Sequence, residues 1–136
     1  MEIVVKEVQA RVPVTIMQLH GELDASNYLD VIARAKEICA AGTRHLLLDL
    51  SGLSFMASSG LVALHSIALI TRGDEPPDPE YGWSAYRAAR KDAGGGFAEN
   101  CKILNPQPAV NRTLETTGFK NFLEVYTDLE TALASF

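Results

Sequence analysis

The sequence predicts an α/β fold: a single domain in which a mixed β-sheet of about five strands packs with about four helices. Three observations lead there. Two apolar segments joined by a very short break open the chain, the pattern of an antiparallel pair. A segment with helical spacing follows, and then an unbroken apolar run, His45-Leu46-Leu47-Leu48-Asp49-Leu50, which suits a central strand buried on both faces. The resulting strand–helix–strand succession implies a right-handed parallel crossover, so the sheet is mixed.

Residues 2–10 form the first predicted strand, with Ile3, Val4, Val5 and Val8. Residues 12–20 form the second, with Val12, Val14 and Ile16 on one face and Met17 and Leu19 on the other. Pro13 fits a strand start or an edge. Gly21-Glu22-Leu23-Asp24 is expected to end this hairpin, and Ser26 or Asn27 to cap a helix running to about Ala41. Two apolar stripes are available to that helix: Leu29, Ile32, Ala35 and Cys39, or Val31, Ala35 and Ile38. Gly42 stops it.

After the central strand, residues 51–57 read as a loop, and Ser58-Ser59 start a second helix with Leu61, Leu64 and Ala68 on one stripe, ending near Gly73. Cys101 to Leu104 is a short strand, and Pro108 to Thr117 a helix with Val110 and Leu114 one turn apart, closed by Gly118. Phe122 to Tyr126 is the last predicted strand. Thr127-Asp128-Leu129-Glu130 then has the form of a capping box opening a final helix with Leu129, Leu133 and Phe136 as its stripe.

One stretch breaks the rhythm. Residues 74–100 run from Asp74-Glu75-Pro76-Pro77-Asp78-Pro79-Glu80 through Tyr81, Trp83 and Tyr86 to Gly94-Gly95-Gly96. The proline-acid part excludes regular helix or central strand, so the segment is expected as a surface insertion into the domain spanning residues 1–136. Its aromatics are candidates for packing back on the domain or for a contact with a partner.

Bulk properties narrow the function. The chain has 136 residues and a formal net charge of -5, with no basic cluster, which argues against direct nucleic-acid binding. No apolar run approaches membrane-spanning length, and the first residues lack the pattern of a secretion signal, so no membrane insertion and a cytoplasmic location are expected. Cys39 and Cys101 read as two buried, reduced thiols. His20, His45 and His65 have no metal-ligand spacing, and Gly94-Gly95-Gly96 is not followed by the Lys-Ser/Thr of a phosphate-binding loop. Ala57-Ser58-Ser59-Gly60 lacks the first glycine of a nucleophile elbow. No enzyme activity, cofactor or metal is therefore expected.

What remains is the serine pair. Ser58 and Ser59 lie where a loop meets a helix N-terminus. Either oxygen could cap the helix. The same geometry also suits a phosphate, because a helix N-terminus favours negative charge and a phosphate there changes the surface without unfolding the helix.

At this point the sequence resembles a known family. Gly21-Glu22-Leu23-Asp24, Leu48-Asp49-Leu50-Ser51-Gly52-Leu53-Ser54-Phe55 and Ser58-Ser59-Gly60-Leu61 are similar, in order and spacing, to the pattern of STAS domains. So are Asn105-Pro106, Val110 to Phe119 and Val125 to Leu133. The likeness is to the anti-sigma factor antagonist type. It implies a single STAS-like domain that is not an enzyme. It implies that Ser59, the second serine, is phosphorylated by a serine kinase with an ATPase-like fold that is also the anti-sigma factor. On the same analogy the unphosphorylated protein binds that kinase and frees a sigma factor, thereby controlling transcription, and a serine phosphatase resets the switch. Asp24, Ser58, Gly60 and Leu61 are the implied partner-binding residues, and a second copy of the chain is a further candidate partner. Two features depart from the pattern. Ala57 stands where many regulatory members have Asp, and residues 74–100 replace a short loop. The alternative reading is a STAS interaction module that is not phosphorylated, serving as a subunit of a transport complex or a stress-sensing scaffold.

Overall fold

The computed structural model describes residues 1–76 and 98–136. The aromatic and triple-glycine parts of the expected insertion, including Tyr81, Trp83 and Tyr86, lie outside the described residues.

The chain begins with β1 (Glu2–Gln9) and β2 (Pro13–Leu23), paired antiparallel from Glu2 opposite His20 to Gln9 opposite Pro13. Helix α1 (Tyr28–Ala40) leads to β3 (Leu46–Asp49), which pairs parallel with β2. A short turn then gives β4 (Leu53–Met56), followed by α2 (Ser58–Thr71). Further along the chain come β5 (Cys101–Leu104), α3 (Pro108–Thr116), a 3-10 turn at Phe119–Asn121, β6 (Val125–Tyr126) and α4 (Leu129–Ala134). The sheet order is β1-β2-β3-β5-β6, with β4 set against the far end of β2. Only β1 runs antiparallel, so the sheet is mixed as expected.

The two faces of the sheet divide the core. Met17 and Leu19 of β2, Leu46 and Leu48 of β3, and Cys101 and Ile103 of β5 face the large cluster built with α1, α2 and α3. Val14 and Ile16, Leu47 and Leu104 face the opposite way and pack with Ala132 of α4. The alternation read in β2 is thus the actual division of the sheet. The β3 run is buried on both sides because a helix layer lies over each. Val31, Ile32, Ala35 and Ile38 are the buried residues of α1, whereas Leu29 is 46% exposed, so the second of the two stripes predominates. Helix α2 is buried all round, from Gly60 to Leu69, as its nearly uniform apolar sequence requires.

Several boundaries differ from expectation. Residues 53–56, read as loop, form a sixth strand: β2 continues past His20 to Leu23, and Leu53 and Met56 pair with Gly21 and Leu23. A four-residue strand with only its end residues buried shows no period-2 alternation to read. The last strand is two residues, not five, because Gly118 in a left-handed conformation (φ 80°) ends α3. The 3-10 turn that follows tucks Phe119 and Phe122 into the core. The final helix is capped by Asp128 rather than Thr127. The Asp128 carboxylate accepts from the Thr131 amide at 2.9 Å and the Thr131 hydroxyl at 2.7 Å, an ionised acceptor outcompeting a hydroxyl. Leu129, expected on that helix's apolar stripe, is 42% exposed. Cys39, expected buried, is only half-buried, near the C-terminal end of α1.

Candidate functional site

The serine pair sits where β2, β4 and α2 meet. The Ala57 amide donates to the Leu23 carbonyl at 2.9 Å, which fixes the start of α2 beside the end of β2. The chain turns into helix at Ala57, in extended conformation, so Ala57 is the N-cap residue and no side chain caps the helix. Neither serine therefore performs the capping that their position suggested. The Leu23–Ala57 hydrogen bond ends the strand one residue before Ser58, which places both serines in the first helical turn.

They face different ways. Ser58 is exposed. Ser59 is half-buried, and its Oγ is shielded from solvent with no hydrogen-bond partner among the described residues. Leaving a hydroxyl so buried costs about 1–3 kcal/mol. Rotation about the Ser59 Cα–Cβ bond would relieve that cost by bringing the oxygen out to solvent. The fourteen-residue helix behind the pair places its positive end here, where an anion is favoured.

Gly60 and Leu61 do not lie on this surface. Gly60 is buried, and Leu61 is 1% exposed within the core. A Cβ on Gly60 would fall 2.3 Å from Met56 Cγ and 3.1 Å from Leu23 Cγ. The glycine thus lets α2 approach β4 and β2 closely; it does not clear space for an approaching partner. Of the residues expected to touch a partner, the structure keeps Asp24 and Ser58 within reach of solvent.

Asp24 also has a local task. Its carboxylate accepts from the Ser26 amide at 2.9 Å and the Ser26 hydroxyl at 2.5 Å. Its own amide donates to Asn27 Oδ1 at 3.0 Å, and the Asn27 side-chain amide donates to the Glu22 carbonyl at 2.7 Å. This network turns the chain from β2 into α1. The bonds from the Ser26 hydroxyl and then the Ser26 amide hold the Asp24 carboxyl below the usual carboxylate range, so the turn carries a fixed negative charge at neutral pH. Asp49 organises the β3–β4 turn in the same way, accepting from the Ser51 amide at 3.0 Å and the Ser51 hydroxyl at 2.8 Å. Gln107, the N-cap residue of α3, donates to the Ser51 carbonyl at 2.8 Å.

Two exposed apolar side chains border these turns and were not singled out from the sequence as surface features. Phe55 of β4, opposite Glu22, is 49% exposed, and Leu29 lies in the first turn of α1 after Asp24. A helical-stripe reading assigned Leu29 to the core, and Phe55 fell in an expected loop. Strand alternation would not have found it either, since Ser54 and Phe55 are both exposed between buried Leu53 and Met56. Among the described residues no three His, Cys, Asp or Glu side chains come together to hold a metal, and no helix is long and apolar enough to cross a membrane.

The order of elements, the Gly-Glu-Leu-Asp segment ending β2 and the serine pair opening α2 coincide with a family match. The model of the STAS domain matches residues 5–72, half of the chain. The chain belongs to the STAS domain family. Solved structures of anti-sigma factor antagonists share the fold over nearly the whole length. An anti-sigma factor antagonist from Mycobacterium paratuberculosis superposes with a TM-score of 0.67 at 19% identity, covering 98% of this chain and 92% of that one. The anti-sigma factor antagonist SpoIIAA in its unphosphorylated form gives 0.59 at 20% identity, covering 96% and 92%. The Bacillus cell fate determinant SpoIIAA in the phosphorylated form gives 0.53 at 18% identity, covering 98% and 97%. No curated protein sequence matches the chain. In this STAS domain the serine pair, the Asp24 turn and the exposed Phe55 and Leu29 belong to neighbouring segments: the β2–α1 connection, the start of α1, β4 and the start of α2.

Proposed function

We propose that this STAS domain is an anti-sigma factor antagonist-like regulator that performs no catalysis itself. It binds a serine kinase of ATPase-like fold that is also the anti-sigma factor. Phosphorylation of Ser59 breaks that complex, and a serine phosphatase restores it. The observation that carries this reading is the Ser58-Ser59 pair in the first turn of α2, beside a turn whose Asp24 keeps its charge. A phosphate on Ser59 would lie at the positive N-terminal end of α2 and add about -1.5 to -2 charges to the partner surface. The similar structures support it to the extent that SpoIIAA, an anti-sigma factor antagonist by name, exists in unphosphorylated and phosphorylated forms. Control of transcription and a cytoplasmic setting follow from this reading.

A specific observation favours a second reading, a contact-only STAS module in a transport complex or stress-sensing scaffold. The Ser59 hydroxyl is turned inward without a partner, and Ala57 offers no carboxylate to activate or orient it. Incubating the protein with ATP and cell extract, then locating phosphate by mass spectrometry, separates the two. Phosphate on Ser59 supports the switch, phosphate on Ser58 moves the acceptor to the exposed serine, and an unmodified pair in extract and in cells favours the contact-only module.

A further inference from the structure

Strand β1 is an edge of the sheet. It pairs with β2 alone, and among the described residues no strand pairs with its other side. It runs for eight residues, Glu2-Ile3-Val4-Val5-Lys6-Glu7-Val8-Gln9, with Ile3, Val4 and Val5 only half-buried. A long edge of this kind is a template for pairing with another strand.

Backbone alternation decides which groups face the opening. On β2, the Thr15 and Gly21 amides point away from β1, donating to the His45 carbonyl at 2.9 Å and the Gly52 carbonyl at 3.0 Å. Hydrogen-bonding direction alternates along a strand, so the intervening Ile16 and Gln18 point toward β1. Their register partners are Lys6 and Val4. Even-numbered residues of β1 are therefore bonded to β2, and the N–H and C=O groups of Ile3, Val5 and Glu7 point outward.

We infer that β1 is a self-association edge, pairing antiparallel with β1 of a second copy about a two-fold axis through Val4. In that register Ile3 stands opposite Val5 of the second copy, and Val5 opposite its Ile3. Both are outward-facing residues, so each pair exchanges two backbone hydrogen bonds. Glu2 stands opposite Lys6 of the second copy, and Lys6 opposite its Glu2. All four of these charged side chains are exposed and share one face of the sheet. Val4 meets Val4 at the closely spaced position between the hydrogen-bonded pairs.

Charge complementarity singles out this register. An axis through Lys6 would set Lys6 against Lys6, and one through Glu7 would set Glu7 against Glu7. An axis through Val5 would place Lys6 opposite Val4, Glu7 opposite Ile3 and Glu2 opposite Val8. The segment Glu2 to Lys6 is thus its own complement, which commits the edge to a second copy of the chain. The outcome is one sheet continuous across the dimer.

The test is sedimentation equilibrium of the full chain from micromolar to near-millimolar protein, with circular dichroism to verify folding. The wild type is expected to dimerise. Glu2→Lys and Lys6→Glu each replace two attractive pairs with two repulsive ones and should weaken dimerisation about tenfold. The double variant restores both pairs with their signs exchanged and should recover the wild-type constant. Val5→Pro removes an outward amide while leaving the β2 ladder intact, and should abolish the dimer. A wild type that stays monomeric, leaving the edge to a strand of some other protein, overturns the inference. So does a dimer indifferent to the single reversals, or one that the double variant fails to restore. The charge series concerns exposed side chains and carries the test even where Val5→Pro fails to fold.

Discussion

Gly60 is the position where the structure most changes what substitution should do. The family resemblance places Gly60 at the partner contact, where a side chain should reduce binding more than stability. In the fold, a Cβ would meet Met56 Cγ at 2.3 Å and Leu23 at 3.1 Å and 3.2 Å. The first distance requires Met56 to move, and both residues are buried, Met56 at 4% and Leu23 at 0% exposure. Overpacking of this sort costs about 1–3 kcal/mol. Against it, alanine is a better helix former than glycine by about 1 kcal/mol. Gly60→Ala should therefore cost up to about 2 kcal/mol net, and Gly60→Val more, because its branches extend into the same contact. Urea denaturation reads this as a lower midpoint with an unchanged slope. Truncating Met56 supplies the control. In a Met56→Ala background the shortest contact is gone and only those with Leu23 remain, so Gly60→Ala should cost clearly less, with a coupling energy of about 1–3 kcal/mol. A Gly60→Ala protein at least as stable as the wild type would refute the close-packing argument and return Gly60 to the partner surface.

Other outcomes follow from the same geometry. Ser59→Ala removes a buried hydroxyl without a partner, so it should leave thermal stability unchanged or raise it by up to about 1 kcal/mol while blocking modification; a clear loss would mean the hydroxyl is bonded. Cys101 is fully buried, and burial pushes its thiol up to about 12. Its contribution is therefore complete below the unfolded thiol value near 8.5 and is lost as pH rises toward 12, at about 1.4 kcal/mol per pH unit. Stability measured across pH 9–11 should fall less steeply in Cys101→Ala, and an identical slope would remove the thiol as the cause. Lys102, 5% exposed, donates to the Ser135 carbonyl at 3.1 Å, pairs with Glu124 at 3.5 Å and lies over the Phe136 ring at 5.2 Å. Lys102→Met should cost about 1–2 kcal/mol, since Glu124 keeps contact with water, and amide exchange should speed up in α4 while α1 is unchanged.

The fold was legible in the sequence where burial is one-sided or complete over several residues. The alternating faces of β2 and the unbroken run of β3 each imply their neighbours, because a sheet with helices on both faces leaves a strand few other choices. Legibility failed where a segment is short and its neighbours decide. Leu53–Met56 is a strand because β2 runs on to Leu23 and offers it an edge, a fact held by residues thirty positions away. Leu29 looks like a core residue by spacing and is exposed, because Val31, Ile32 and Ile38 already face the sheet. One hydroxyl against one carboxylate moved the last cap by a residue. The aromatic half of the insertion remains outside the described residues.

The site was legible as a place but not as a surface. The order Gly-Glu-Leu-Asp, then Ser-Ser-Gly-Leu, indicated that the end of β2 and the start of α2 lie together, and the Ala57–Leu23 hydrogen bond joins them. Which side chains of those motifs face outward could not be read, since exposure in the first turn of a helix depends on where the helix begins. Had Ser58 capped the helix, every later residue would sit one position earlier along it, and a shift of one helical position turns a side chain by about 100°. Capping at Ala57 instead turns Ser58 out, sets the Ser59 hydroxyl inward, and sends Gly60 and Leu61 into the core. A motif of four consecutive residues thus performs two tasks. Gly60 and Leu61 hold α2 against the sheet, and that rigid attachment keeps the serines at a defined position. A partner reading the surface would meet Ser58, the Asp24 turn, Phe55 and Leu29, and a change at Ser59 would reach it only after that hydroxyl rotates outward.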